Sequence, residues 1–156
     1  MKELLEYRVK MLERLREAAQ ELRSACEALS DPHEKVEGEW TAHQLAAHTR
    51  DVNKFVYGVR VQQTIDENIP EFKNFDADAW MLGQYDKTES LTTILNEFMA
   101  NVNGLCDMLQ NQPRETWSRI SRHETMGSQL TMQLWVERSL AHIEEHLQTL
   151  KKVEKQ

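Results

Sequence analysis

Residues 131–153 read TMQLWVERSLAHIEEHLQTLKKV, and this stretch decides the fold. Val136, Leu140, Ile143, Leu147 and Leu150 recur at steps of three and four, the period of one face of an α-helix. Upstream, residues 113–130 are too polar and irregular to continue that pattern and read as a loop holding Trp117, His123 and Gly127. Before the loop, Leu91, Ile94, Phe98, Val102, Leu105 and Leu109 form a second stripe, on a helix expected to start at about Thr88 and to stop before Pro113. Residues 68–86 read as a long crossover with a short helix over Ala77–Leu82. Ahead of it, Thr41-Ala42-His43-Gln44 fits the capping box, with Thr as N-cap and Gln three residues on. The helix it opens carries Leu45, His48, Val52, Phe55 and Val59 on one expected face and fades near Asp66. The first helix runs from Lys2 to about Leu29, with Leu5, Leu12, Leu15, Ala19, Leu22, Cys26 and Leu29 as its stripe, and ends before Pro32.

Four helices of this length are each roughly 35–40 Å long at 1.5 Å per residue. The expected architecture is all-α, a four-helix bundle with long crossover connections, built as a single domain over 1–156. No internal repeat and no strand of confident length is seen.

Composition narrows the function classes. The chain has 156 residues, 40% hydrophobic and 29% charged, and its 19 Lys and Arg against 26 Asp and Glu leave a net charge of −7. An acidic chain without a basic stretch is a poor partner for nucleic acid. The lysines of the C-terminal KKVEKQ are expected to sit at the negative pole of a helix end. No apolar run approaches the ~20 residues of a membrane span, and the charged N-terminus does not resemble a signal peptide. A cytoplasmic setting is expected, with Cys26 and Cys106 as free thiols packed at or beside core stripes.

Three of the six histidines carry the chemistry. His142 and His146 are four residues apart on the last helix, so their rings stack on one face about 6 Å apart and can reach one metal ion. His48 falls on the apolar stripe of the second helix, where an unsatisfied polar ring would cost about 1–3 kcal/mol. One metal shared between neighbouring helices would satisfy all three rings. On the residues alone, a hydrogen-bonded core histidine and a chance pair stay open beside that reading. His142-Ile143-Glu144-Glu145-His146 also fits the H-x-x-E-H string of one metalloprotease class, but few residues remain downstream for the further ligand that class needs. The Glu-x-x-His pattern of di-iron bundles fails at each histidine. No phosphate-binding glycine loop or nucleophile elbow occurs.

Three strings taken in order resemble the DinB-like superfamily: Trp40-Thr41-Ala42-His43-Gln44-Leu45-Ala46-Ala47-His48, Phe75-Asp76-Ala77-Asp78-Ala79-Trp80 and His142-Ile143-Glu144-Glu145-His146-Leu147. The resemblance implies a bundle in which His48, His142 and His146 hold a divalent metal, zinc or nickel. It also implies an S-transferase activity that uses a low-molecular-weight thiol, such as bacillithiol, mycothiol or glutathione, against a small electrophile through a metal-bound thiolate. The alternative is a non-catalytic metal-binding or stress-response bundle acting through a partner or ligand. Asp51, one turn after His48, is a candidate to orient a ligand ring, the other reading being a solvent-facing helix acid. Arg138, one turn before His142, is a candidate to hold an acidic group. Trp80 and Trp117 are candidates to close the pocket. A homodimer is the expected assembly, and protons are expected to compete with the metal near the ordinary imidazole pKa of about 6.5.

Overall fold

In the computed structural model, which describes residues 1–154, each of the four apolar stripes lies on a helix. Helix α1 spans Lys2–Glu27. A helical rod then runs through α2 (Ala42–Val52), a π-helical turn at Asn53–Tyr57, and α3 (Gly58–Asp66). A short α4 (Ala77–Gln84) lies within the crossover, followed by α5 (Leu91–Gln110) and α6 (Met132–Glu154). The capping box is formed: Gln44 N–H donates to Thr41 Oγ1 at 3.1 Å, and Thr41 N–H donates to Gln44 Oε1 at 2.8 Å. Helix α5 starts three residues later than Thr88. The Asp86 carboxylate captures the Thr88 N–H and hydroxyl at 2.9 and 2.6 Å, a turn that defers the helix until Ser90 caps it. The last-turn lysines of α6 are Lys151 and Lys152; Lys155 and Gln156 lie outside the described residues.

Side-chain pairs between helices set the chain directions. Tyr7 meets Glu137, Arg14 meets Glu144 and Glu21 meets Lys151, so α1 and α6 run parallel. Leu12 meets Cys106 and Arg16 meets Asn103, so α1 and α5 run antiparallel. Arg50 meets Glu97 and Asn53 meets Asn101, so the α2–α3 rod parallels α5. His48 meets His142 and Asn53 meets Ser139, so the rod opposes α6. The bundle is therefore up-down-down-up. Residues 67–90 must return along the bundle to join two parallel helices, which accounts for the length of that connection.

The connections are more ordered than the sequence pattern implies. β1 (Lys35–Glu37) and β2 (Trp40–Thr41) pair antiparallel. β3 (Glu71–Phe72) lies in the crossover and pairs parallel with β4 (Ile120–His123), which pairs antiparallel with β5 (Gly127–Thr131). These strands have no counterpart in the sequence pattern because strands this short leave no readable period, and β3 and β4 are distant in sequence. The three-stranded sheet is fastened to α6 by the fully buried Trp135. Its indole N–H donates to Ser121 Oγ at 2.8 Å, and Phe72 packs edge-on against its ring at 5.6 Å.

The core is apolar and continuous, with Leu15, Leu22, Leu45, Ile94, Phe98, Ile143 and Leu147 fully buried. Burying one such side chain contributes about 1.5–3 kcal/mol, so the bundle is expected to keep its helices without an ion. Two stripe expectations are overturned. Leu5 is exposed, since it precedes the part of α1 that α5 and α6 cover. Phe55 and Val59 are also exposed, and Val56, Arg60, Val61 and Thr64 are buried in their place. The cause is the π turn, which spends an extra residue on one turn and retards the inward face of everything after it by one position. Gly58 permits it: its N–H bonds Asn53 C=O, and a Cβ at this position would stand 2.7 Å from that oxygen. Among the described residues no helix is long and apolar enough to cross a membrane.

Candidate metal centre

The antiparallel contact of α2 with α6 brings the three selected histidines together. His142 Nε2 lies 3.0 Å from His48 Nε2 and 2.9 Å from His146 Nε2. One nitrogen from each ring lies within 4.8 Å of the other two. A neutral imidazole nitrogen is either a donor or a single-lone-pair acceptor. Three Nε2 atoms converging on one point therefore cannot satisfy one another fully. If His48 and His146 donate from Nε2, their Nδ1 atoms become acceptors, and both Nδ1 atoms are buried without a partner. A cation among the Nε2 atoms would remove the conflict there, since all three lone pairs could face it with the protons carried on Nδ1. Glu37 Oε2, 3.9 Å from His146 Nδ1, stands on the side that proton would face. The donor set fits a divalent ion such as zinc or nickel.

Burial is the main reason these rings stay neutral. It pushes His48 down to about 4, His142 to about 3 and His146 to about 4, with the neighbouring rings adding to the effect on His48 and His142. Proton competition is thereby displaced below the ordinary imidazole range. Metal affinity is expected to hold nearly level from neutral pH to about pH 5 and to fall as pH approaches these lowered values. The metal-free fold should behave in the complementary way. In the unfolded chain the histidines take up protons below about pH 6.5, whereas the folded rings do so only near pH 4. Stability is therefore fully present above the unfolded value and is lost as pH falls through the folded one. Zinc titrations and urea melts of metal-free protein at several pH values check both slopes.

The histidines open on a cleft of about 470 Å³. Trp40 meets the His48 ring edge-on at 5.0 Å, and Tyr57 tilts toward His142 at 5.9 Å. Asp51 is buried, not solvent-facing, but it does not hold a histidine. Its oxygens accept from Arg50 Nε and Trp80 Nε1, each at 3.0 Å. Trp80 is thus fixed on Asp51, packs between Phe55 and Phe75, and anchors α4 over the rod. Arg138 lines the cleft. Trp117 does not: it is buried elsewhere, under the Arg8 guanidinium at 5.2 Å. Cys26 and Cys106 are free and buried, and burial raises their thiols to about 12 and about 11, which makes them inert.

The DinB superfamily pattern matches residues 11–150, nearly the whole chain. The chain belongs to the DinB superfamily. Among curated proteins, none matches it in sequence. Among solved structures it is similar to YfiT from Bacillus subtilis, with a TM-score of 0.86 and 20% identity over 96% of this chain and 87% of that one. YfiT is described as a probable metal-dependent hydrolase with an unusual four-helix bundle topology. At this identity the likeness carries the fold.

Cleft residues of this DinB-superfamily bundle that sequence reasoning did not single out as site residues include Tyr57, Arg60, His123 and Glu145. Tyr57 and Arg60 reach the cleft because the π turn rotates α3, and His123 because β4 pairs across to β3. Neither event has a local sequence signature.

Proposed function

We propose that this DinB-superfamily protein is a metal-dependent enzyme of small-molecule chemistry, and that its reaction is transfer of a low-molecular-weight thiol to an electrophile. The observation that carries the reading is the convergence of three Nε2 atoms beside an open cleft. A divalent ion bound by His48, His142 and His146 would supply Lewis-acid activation, lowering the pKa of a thiol or water brought to it. With three protein ligands, such an ion would keep room for a substrate group. The buried Val52 and Val56, with Met126, give the cleft an apolar part beside its polar residues. Glu145, exposed and lining the cleft next to His146, is placed to accept the proton that the activated group releases. A two-fold homodimer is the expected assembly, tested by light scattering.

That same carboxylate favours a second reading, hydrolysis, in which Glu145 takes a proton from water, in keeping with what is described for YfiT. Profiling zinc- and nickel-loaded protein separates the two. The expected result is conjugation of glutathione, mycothiol or bacillithiol to a generic electrophile such as chlorodinitrobenzene, lost in His142→Ala. Metal-dependent cleavage of an ester panel without any thiol would select hydrolysis. Tight metal binding with no turnover in either assay would select the non-catalytic bundle.

A further inference from the structure

Arg60 is a buried cation without an anion. It is 8% exposed, and the π turn places it where Val59 would otherwise face inward. Its Nη2 donates to Lys73 C=O at 3.0 Å, and its guanidinium lies over Trp135 at 4.8 Å and beside Tyr57 at 5.8 Å. Among the described residues, the N–H groups on Nε and Nη1 have no acceptor, and neither nitrogen is sealed from solvent. Arg138, exposed on the cleft wall, is equally unmatched. The contrast within the chain is sharp: Arg14, Arg16 and Arg50 each reach a carboxylate at 2.6 Å. Neither Arg60 nor Arg138 has such a pair among the described residues, although the chain has more acids than bases. His123 stands beside Arg60, its ring engaged with the same Lys73 backbone that Arg60 contacts. Its Nδ1 accepts the N–H groups of Thr125 and Met126 at 3.2 Å each, so the neutral ring carries its proton on Nε2, 3.5 Å from Arg60 Nη2.

Arginine donors gathered without an acceptor are what an anion site looks like when described from the protein side. We infer that Arg60 and Arg138 form a subsite for a carboxylate on the small molecule that this cleft binds. The inference rests on the reading of the cleft as the reaction site and names the substrate class it takes: a carboxylate-bearing molecule with its reactive end at the histidines. Trp135, under Arg60, precedes His142 by two helical turns, so the two ends lie about 10 Å apart along α6.

The test is calorimetric titration of full-length, zinc-loaded protein with glutarate, its neutral analogue glutaramide, and inorganic phosphate at fixed ionic strength. Glutarate should bind and glutaramide should not. Arg138→Gln and Arg60→Gln should each weaken glutarate about tenfold to a hundredfold, as expected for a charge-assisted hydrogen bond. Zinc affinity should be unchanged in both. Arg138 is exposed, so its variant keeps the fold even if Arg60→Gln does not. The arginine-dependent binding should persist in His142→Ala, which separates the subsite from the metal. Glutarate binding that survives both arginine substitutions but disappears with zinc would overturn the subsite, since the anion would then be on the metal. Equal binding of glutaramide, or tighter binding of phosphate, would overturn the carboxylate assignment.

Discussion

His142→Ala is expected to weaken zinc binding on the order of a thousandfold and to leave the helices intact. Structural zinc sites release about 10–16 kcal/mol. If three ligands share a sum of that order, losing one costs about 4 kcal/mol, roughly a factor of a thousand. His142 is the sharpest choice because its Nε2 is the atom the other two approach, at 3.0 and 2.9 Å. His33, exposed and apart from the cluster, is the control, and His33→Ala should bind as wild type does. Circular dichroism should be unchanged in both variants, because the core of Leu15, Leu45, Phe98 and Ile143 is complete without the ion. Equal zinc affinity in His142→Ala and wild type would remove the metal centre. Collapse of the metal-free wild type would make the ion structural instead.

Gly58→Ala is expected to destabilise the protein by about 1–3 kcal/mol, the usual cost of forcing extra volume into a packed site. The direction is opposite to the ordinary effect, since alanine normally gains about 0.5–1 kcal/mol over glycine inside a helix. The deciding quantity is the 2.7 Å approach of the added Cβ to Asn53 C=O, a backbone atom that can move away only if the π turn opens. Gly104→Ala is the matched control: it lies within α5 with nothing within 4 Å of the added Cβ, and it should be neutral or stabilising. If the strain is relieved by closing the wide turn to an α turn, the face of α3 advances by about 100°. Phe55 and Val59 would then turn inward and Arg60 outward. Thermal melts of both variants, with glutarate titrations, distinguish plain destabilisation from this rotation. A Gly58→Ala protein as stable as wild type, still binding glutarate, would show that the π turn is not held by this contact.

Much of the bundle could be read from local pattern. The stripes of α5 and α6, the Thr41–Gln44 cap and the short helix in the crossover all follow from interactions spanning no more than a few residues, which a linear sequence displays directly. The histidine pair on α6 was legible for the same reason, since the helical repeat alone puts residues four apart on one face. His48 was legible as a polar ring on an apolar stripe, and its place opposite the pair required only that α2 and α6 be neighbours.

What the sequence determined by itself, then, was the set of helices and the three histidines. The tertiary structure alone decided the up-down-down-up course, the sheet joining β3 to β4, and the phase of α3. Chain direction and strand pairing depend on partners far apart along the chain, such as Phe72 opposite His123. The π turn changes the inward face through one extra residue per turn, which a fixed helical period cannot register. Reading α2 and α3 as one regular helix placed Phe55 and Val59 in the core, and so missed Arg60. An arginine at a polar position of a helix looks like a solvated charge until the backbone shows which way it faces.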